Sequence, residues 1–218
     1  MYHGFLLTPH GKFTTFDAPD AGTGAFQGSG GLSVNAAGTI LGEYFDTSNV
    51  SHSFLRAPDG TITEFDAPGA GTEPHQGAYP ANLSGINPEG ASVGEIYDAN
   101  WVNHGYLRSP DGTITDVDVP GAGTGTYQGT NACWFIPAWG GINPAGTITG
   151  FYADENSVYH GYVRTLEGKI TRFDAPGAGS TAAWQGTQPM TINPEGAITG
   201  YYTDANNVVH GFLRPAVP

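Results

Sequence analysis

The sequence predicts an all-β fold, and three observations predict it. A unit of roughly 50 residues recurs from one end of the chain to the other. Within each copy, short runs rich in β-branched and aromatic residues alternate apolar and polar positions, with no helical periodicity between them. The runs are separated by Gly, Pro, Asn and Asp turn signals, which gives the 34 glycines and 16 prolines a place in turns. Four short strands per unit match the blade of a β-propeller. The expected architecture is therefore one propeller domain over residues 1–218 with four blades, five being the alternative.

The elements follow in order. Strand a is the GIN stretch, ending in an Asn-Pro-x-Gly turn. Strand b is ITGYY and its copies ILGEY, SVGEI and ITGFY. A polar turn (DTSN, DANW, DENS, DANN) returns the chain as strand c, the HGFLR-like run, making a hairpin. Strand c turns at TPHG, APDG, SPDG or TLEG, where Gly supplies positive φ, into strand d, TITEFD and its copies. The chain thus reads c-d, three complete a-b-c-d units, then a-b-c. Splitting one blade between the termini closes the ring without a free edge and leaves one spare c strand. In the five-blade alternative, Met1–Thr23 and the C-terminus each supply part of a blade.

The intervals separate scaffold from variation. From His3, His52, His104 and His160 to Asp17, Asp66, Asp118 and Asp174 is 14 residues every time. From Asn35, Asn87, Asn143 and Asn193 to Asp46, Asp98, Asp154 and Asp204 is 11, and from those aspartates to the next histidine is 6. From Gln27, Gln76, Gln128 and Gln185 to the next asparagine the gaps are 8, 11, 15 and 8. Variation is confined to one loop per unit, expected to precede strand a and to gather at one end of a central channel.

Composition narrows the function classes. A net charge of −13, with seven Lys and Arg, repels a phosphate backbone and excludes nucleic acid as a partner. No apolar run is long enough to span a membrane, and the N-terminus MYHGFLL starts inside a repeat, without the basic and apolar regions of a signal peptide. The single cysteine, Cys133, forms no intramolecular disulfide.

The residues HGFLR, DGTIT, FD-PGA and GINP-G-ITG-Y-D resemble the HAF-type extracellular repeat family of bacteria, and the likeness covers essentially the whole chain. Departures are Leu7 for Arg, Ser53 for Gly and Val117 for Phe. The resemblance implies a secreted or cell-surface protein; the family is defined by its repeat and implies no catalytic signature. A looser likeness to WD-repeat propellers lies in the His-Gly pairs, without an in-phase Trp-Asp.

The repeated polar residues read as structure. The histidines sit at equivalent positions round a ring and are expected to bond an aspartate or a neighbouring backbone, so no metal or other cofactor is expected. Arg56, Arg108, Arg164 and Arg214 are expected to bridge the strand-d aspartates. The b–c turn aspartates lack the Gly and Glu of an EF-hand loop and read as Asx turns.

Candidate functional residues lie where the repeat is in phase but the residue changes. Before each Gln-Gly stand Phe26, His75, Tyr127 and Trp184. After the strand-b glycine stand Glu43, Glu95, Phe151 and Tyr201. Two carboxylates facing aromatic platforms can grip a sugar ring, hydroxyls to carboxylate and apolar face to aromatic. Two carboxylates also suit glycoside hydrolysis, with Glu43, Glu95 and His75 as the catalytic candidates. The long third loop offers Trp134, Phe135 and Trp139; its Cys133 is expected to be buried beside them, the alternative being a nucleophile with His75 as its base, and the second loop offers Tyr79. The expected activity is binding of a carbohydrate or small neutral ligand in one asymmetric pocket. The alternatives are a glycoside hydrolase or lyase, and a structural repeat protein.

Overall fold

The computed structural model describes residues 1–82, 84–131 and 141–216. An N-terminal hairpin, β1 (Gly4–Leu7) and β2 (Phe13–Phe16), is followed by four modules. The first is β3 (Gly28–Val34), β4 (Ile40–Phe45), β5 (Ser51–Arg56) and β6 (Ile62–Phe65). The second is β7 (Gly77–Pro80), β8 (Ser92–Tyr97), β9 (Asn103–Arg108) and β10 (Ile114–Asp116). The third is β11 (Gly129–Thr130), β12 (Gly141–Ile142), β13 (Ile148–Ala153), β14 (Tyr159–Arg164) and β15 (Ile170–Phe173). The fourth is β16 (Gly186–Ile192), β17 (Ile198–Thr203) and β18 (Val209–Arg214). The described residues contain no helix.

Each complete module is an antiparallel a-b-c-d meander. Three small features set its register. The strand-b glycine lies under the aromatic ring of strand c: a Cβ on Gly42 or Gly94 would collide with Phe54 or Tyr106. At the a–b turn, the Asn35, Asn87, Asn143 and Asn193 side chains each accept from the backbone N–H four residues on, at 2.8–3.0 Å. At the b–c turn, Asp46, Asp98, Asp154 and Asp204 accept from the N–H groups two and four residues on, as Asx turns do.

Modules are joined through Gln-Gly. Strand c of one module pairs in parallel with the first residue of the next strand a: Ser51 with Gly77, Asn103 with Gly129, Tyr159 with Gly186. These glycines have φ of 112–113°. A Cβ there would collide with the neighbouring strand's carbonyl, so only Gly permits the approach. The preceding Gln is buried, or half-buried in the case of Gln128, and its Oε1 accepts a backbone N–H of the incoming linker. A second clip comes from the residue before Gln, whose N–H donates to the b–c turn of the preceding module: His75 to Asn49, Tyr127 to Trp101, Trp184 to Ser157, at 2.7–2.8 Å.

The core runs between modules. Phe16 meets Phe54, Phe65 meets Tyr106 and Phe173 meets Phe212 edge-on, so each strand-d ring packs on strand c of the next module. This explains why the expected arginine–aspartate bridges are absent among the described residues. Arg56, Arg108 and Arg214 instead lie over Phe16, Phe65 and Phe173 at 4.9–5.0 Å. The aspartates go to histidine: His3 to Asp17, His52 to Asp66, His104 to Asp118 and His160 to Asp174, at 2.7–3.1 Å. A carboxylate only accepts, so Nδ1 carries the proton. His52, His104 and His160 turn Nε2 toward the b–c turn aspartate at 3.7–3.8 Å.

Strand a differs from the expectation. It begins at the Gly after Gln and runs to the Asn, so in the first and fourth modules the eight-residue gap is itself strand, with a bulge at Gly31/Ser33 and at Pro189/Thr191. The longer gaps of the second and third modules interrupt the strand at that place instead of preceding it. The interrupted segments converge: Ile142 N donates to Ser84 O at 3.0 Å, and Ser84 Oγ lies 3.4 Å from Thr191 Oγ1.

Sixteen of the described strands form one hydrogen-bonded system whose path runs from β3 to β18; β1 and β2 pair separately. The expected pairing of β18 with β2 is not made. The spare strand β1 already occupies that place, and Tyr2 makes the parallel bridge to Gly28 that Ser51, Asn103 and Tyr159 make elsewhere.

Candidate functional site

Glu43 lies on β4, directly across from Gly30 on β3 and Ser53 on β5. Both neighbours are small, and nothing stands within 4 Å of where a Cβ on Gly30 would be. The result is an open notch at Gly30, across the strand from Glu43. Glu43 is half-buried; its Oε2 is wholly buried and meets no hydrogen-bond partner among the described residues. Burial pushes its carboxyl up to about 7. At neutral pH such a group is present both as acid and as carboxylate, able to donate as well as accept.

Glu95, at the matched position on β8, is different in kind. It has 1% of its surface exposed and takes a 3.4 Å hydrogen bond from Asn103 Nδ2. Burial holds it well above the usual carboxylate range. The difference begins with what stands opposite: Tyr79 faces Glu95 across the strand pair, whereas the smaller Gly30 faces Glu43.

Tyr79 connects the two. Burial first, then the charges of Glu43 and Glu95, raise its phenol, so it lies within electrostatic reach of both. Its hydroxyl donates to His75 O at 2.8 Å, four residues back in the segment that enters the second module. From Tyr79 a file of rings runs along the b–c turn end. Phe45 lies 6.2 Å from Tyr79 and 6.4 Å from His75; Tyr97 is 5.5 Å from Tyr79, and Trp101 and Tyr127 follow at 5.8 and 5.7 Å. Phe45 is two residues along β4 from Glu43, on the same face of the strand.

The remaining candidates scatter. His75 is exposed, and its φ of 66°, like those of Phe26, Tyr127 and Trp184, belongs to the joint. Trp184 packs on Tyr159 at 5.9 Å in the fourth module, and Phe26 stands 75% exposed at the N-terminal end. Phe151 has no exposed surface and packs edge-on against Tyr159 at 5.2 Å; its ring is core. Tyr201 is half-buried, across from Gln188. Trp134, Phe135, Trp139 and Cys133 lie outside the described residues. The structure therefore brings together Glu43, Tyr79, His75 and Tyr127, with Glu95 behind them, and leaves Phe26, Trp184, Phe151 and Tyr201 elsewhere. Sequence reasoning missed Phe45, Tyr97 and Trp101; the available signal was that strand alternation puts Phe45 on the Glu43 face.

At the opposite end of the modules is a shallow groove of about 270 Å³, lined by residues including Thr39, Thr61, Thr63, Glu89 and Arg108. None of the sequence candidates lines it. The histidine–aspartate clusters do not form a metal site: no group of three or more His, Cys, Asp or Glu among the described residues is arranged to hold an ion. No helix among the described residues is long and apolar enough to cross a membrane. No protein-family model matches the chain, and no curated protein sequence matches it.

Proposed function

We propose that the protein is a secreted or surface binding module for a carbohydrate or other small neutral ligand, held in one asymmetric site at the seam of the first two modules. The observation that carries this reading is the Glu43 notch. Glu43 is half-buried, with one enclosed carboxyl oxygen that has no partner among the described residues, and it stands across the strand from the open space at Gly30 and beside a row of aromatic rings. Hydroxyls would satisfy the carboxyl, and the apolar face of a sugar would lie on Phe45 and Tyr79. The near-neutral pKa favours an uncharged ligand over a cation, since Glu43 carries only part of a charge at pH 7. The HAF-like repeat is the ground for the extracellular location.

Binding is favoured over glycoside hydrolysis by Glu95. Hydrolysis needs two carboxyl groups that both reach the substrate, and Glu95 is sealed beneath Tyr79 and Asn103. The modules are read here as the blades of a propeller with the a strands innermost. Support comes from contacts between successive a strands, Asn35 Nδ2 to Asn87 O and Asn143 Nδ2 to Asn193 O, and from Ser84 meeting Thr191 of the fourth module.

A glycan array, followed by calorimetry on any hit, tests the reading with Glu43→Gln and Tyr79→Ala as controls. Both variants should lose affinity about tenfold or more, since each removes a site contact worth more than about 1.4 kcal/mol. Turnover of a glycan by the native protein that disappears in Glu43→Gln would replace binding with catalysis.

A further inference from the structure

The b–c turn of each module holds a residue in the left-handed region, at φ of 59–63°: Asn49, Trp101, Ser157 and Asn207. Asn suits that conformation and Ser is small, whereas a bulky ring there is out of place. The joint asks nothing of the side chain. It uses the backbone carbonyl, which accepts the pre-Gln N–H from His75 at Asn49, from Tyr127 at Trp101 and from Trp184 at Ser157. The indole of Trp101 is therefore surplus to the frame, and it is only half-buried, on the file of rings.

Three positions at each joint can carry a ring: the end of strand b, the left-handed turn residue and the residue before Gln. The first joint has Phe45, Asn49 and His75; the second has Tyr97, Trp101 and Tyr127; the third has Ala153, Ser157 and Trp184. Only the second fills all three with rings. Tyr97 is 8% exposed and acts as the brace, meeting Tyr79 at 5.5 Å, Trp101 at 5.8 Å and Tyr127 at 6.4 Å. Trp101 and Tyr127 are half-buried, 5.7 Å apart and tilted 56° to each other. Asn100, exposed in the same turn, and the Asp98 carboxylate stand beside them. Amphipathic rings with an amide and a carboxylate at their side repeat, one joint further on, the chemistry of Phe45, Tyr79 and Glu43.

We propose, resting on the reading of Glu43 as a sugar contact, that the ligand is a linear neutral oligosaccharide. One unit lies at Glu43, Phe45 and Tyr79, and a further unit lies on Trp101 and Tyr127. Tyr79 and Trp101 both meet Tyr97, so one ring separates the two platforms, a gap that consecutive units of a chain cross without leaving the surface. Neighbouring rings of the file are tilted by 56–89°, so each offers its own face to one unit, and a flat polycyclic ligand finds no common plane. Asp98 in the turn and a net charge of −13 turn away an anionic chain. The file ends at the third joint, where Ala153 and Ser157 stand in place of Tyr97 and Trp101.

The test is calorimetry with neutral gluco-, xylo-, manno- and N-acetylgluco-oligosaccharides, each from the single sugar to about six units. For the series that binds, affinity should rise about tenfold or more with chain length before it levels off. Trp101→Asn gives the turn the residue found at Asn49 and Asn207, so its melting temperature should not fall; it should abolish most of the gain with length, read as the ratio of long-chain to single-sugar affinity. Glu43→Gln should weaken every length alike and leave that ratio in place. Trp184→His, at the matched position of the third joint, should also leave it in place. Affinity independent of length, a gain that survives Trp101→Asn, or a gain that Trp184→His removes as fully overturns the second subsite and leaves the Glu43 site standing. No binding at any length overturns both.

Discussion

Replacing Glu43 by Gln should make the protein more stable, and by an amount that depends on pH. In the unfolded chain the carboxyl titrates at 4.5; burial in the folded state raises it to about 7. A carboxyl raised on folding binds more protons in the native state. Its contribution is therefore fully favourable below about pH 4.5 and is lost as pH rises toward 7, after which the loss is constant. At about 1.4 kcal/mol per unit, the shift of about 2.5 units is worth roughly 3 kcal/mol at most, and part of the side chain reaches water, so about 2 kcal/mol is the working figure. Gln keeps the shape without the charge and carries none of this cost. Chemical denaturation of native and Glu43→Gln proteins at pH 5 and pH 8 is the assay. The variant should gain roughly 2 kcal/mol relative to native between those two values. A difference between the two proteins that stays the same at both pH values would refute the argument, because it would mean that Glu43 is ionised as easily folded as unfolded.

Gly77→Ala should destabilise far more than Gly90→Ala, since both have positive φ but only the first places a Cβ against a neighbouring carbonyl; about 1 kcal/mol is expected for Gly90, and failure to fold or a loss several times larger for Gly77, read by thermal denaturation. His52 is raised chiefly by its hydrogen bond to Asp66, and His160 by that to Asp174, against the opposing effect of burial. The stability these pairs confer is complete below about pH 6.5 and is lost as pH rises through the folded value; Asp66→Asn should lower the His52 midpoint followed by NMR and flatten that part of the profile. Phe54→Ala should cost about 3–5 kcal/mol, because it empties the space over Gly42 and removes the partner of Phe16.

What was legible in the sequence was local. The meander, its turns and the histidine–aspartate pairing follow from constant intervals and turn chemistry, and a 14-residue spacing across one hairpin brings His52 to Asp66 in every copy of the pattern. What was not legible depended on the neighbouring module. Arg56 pairs with Phe16 and not Asp66 because strand d of the preceding module packs over it, and no spacing within a unit reports that. The Gln-Gly pair was visible as a repeat but not as a joint, since the collision that demands Gly is with a carbonyl some 26 residues away in sequence. Glu43 and Glu95 looked alike because the difference lies across the strand, in Gly30 against Tyr79. Phe151 looked like a platform because a matched position does not tell which side is covered; Tyr159 covers it. The end-to-end pairing was expected from strand counting, which cannot say which of two equivalent c strands takes the place beside β2.

The bulge in strand a has a consequence for how such a chain can change. Gln-Gly at one end of the strand and Asn-x-x-Gly at the other are both pinned by hydrogen bonds, in the first and fourth modules with a bulge between them and in the second and third with three or seven more residues at that place. Length can therefore be added there without altering the register of strands b, c and d or the Gln-Gly joints between modules. Each module carries, in effect, one expansion slot whose contents are decoupled from the frame. New peptide placed at 31–33 or 189–191 should leave the melting behaviour of the frame nearly unchanged, and would emerge beside the segments that already meet at Ser84, Ile142 and Thr191.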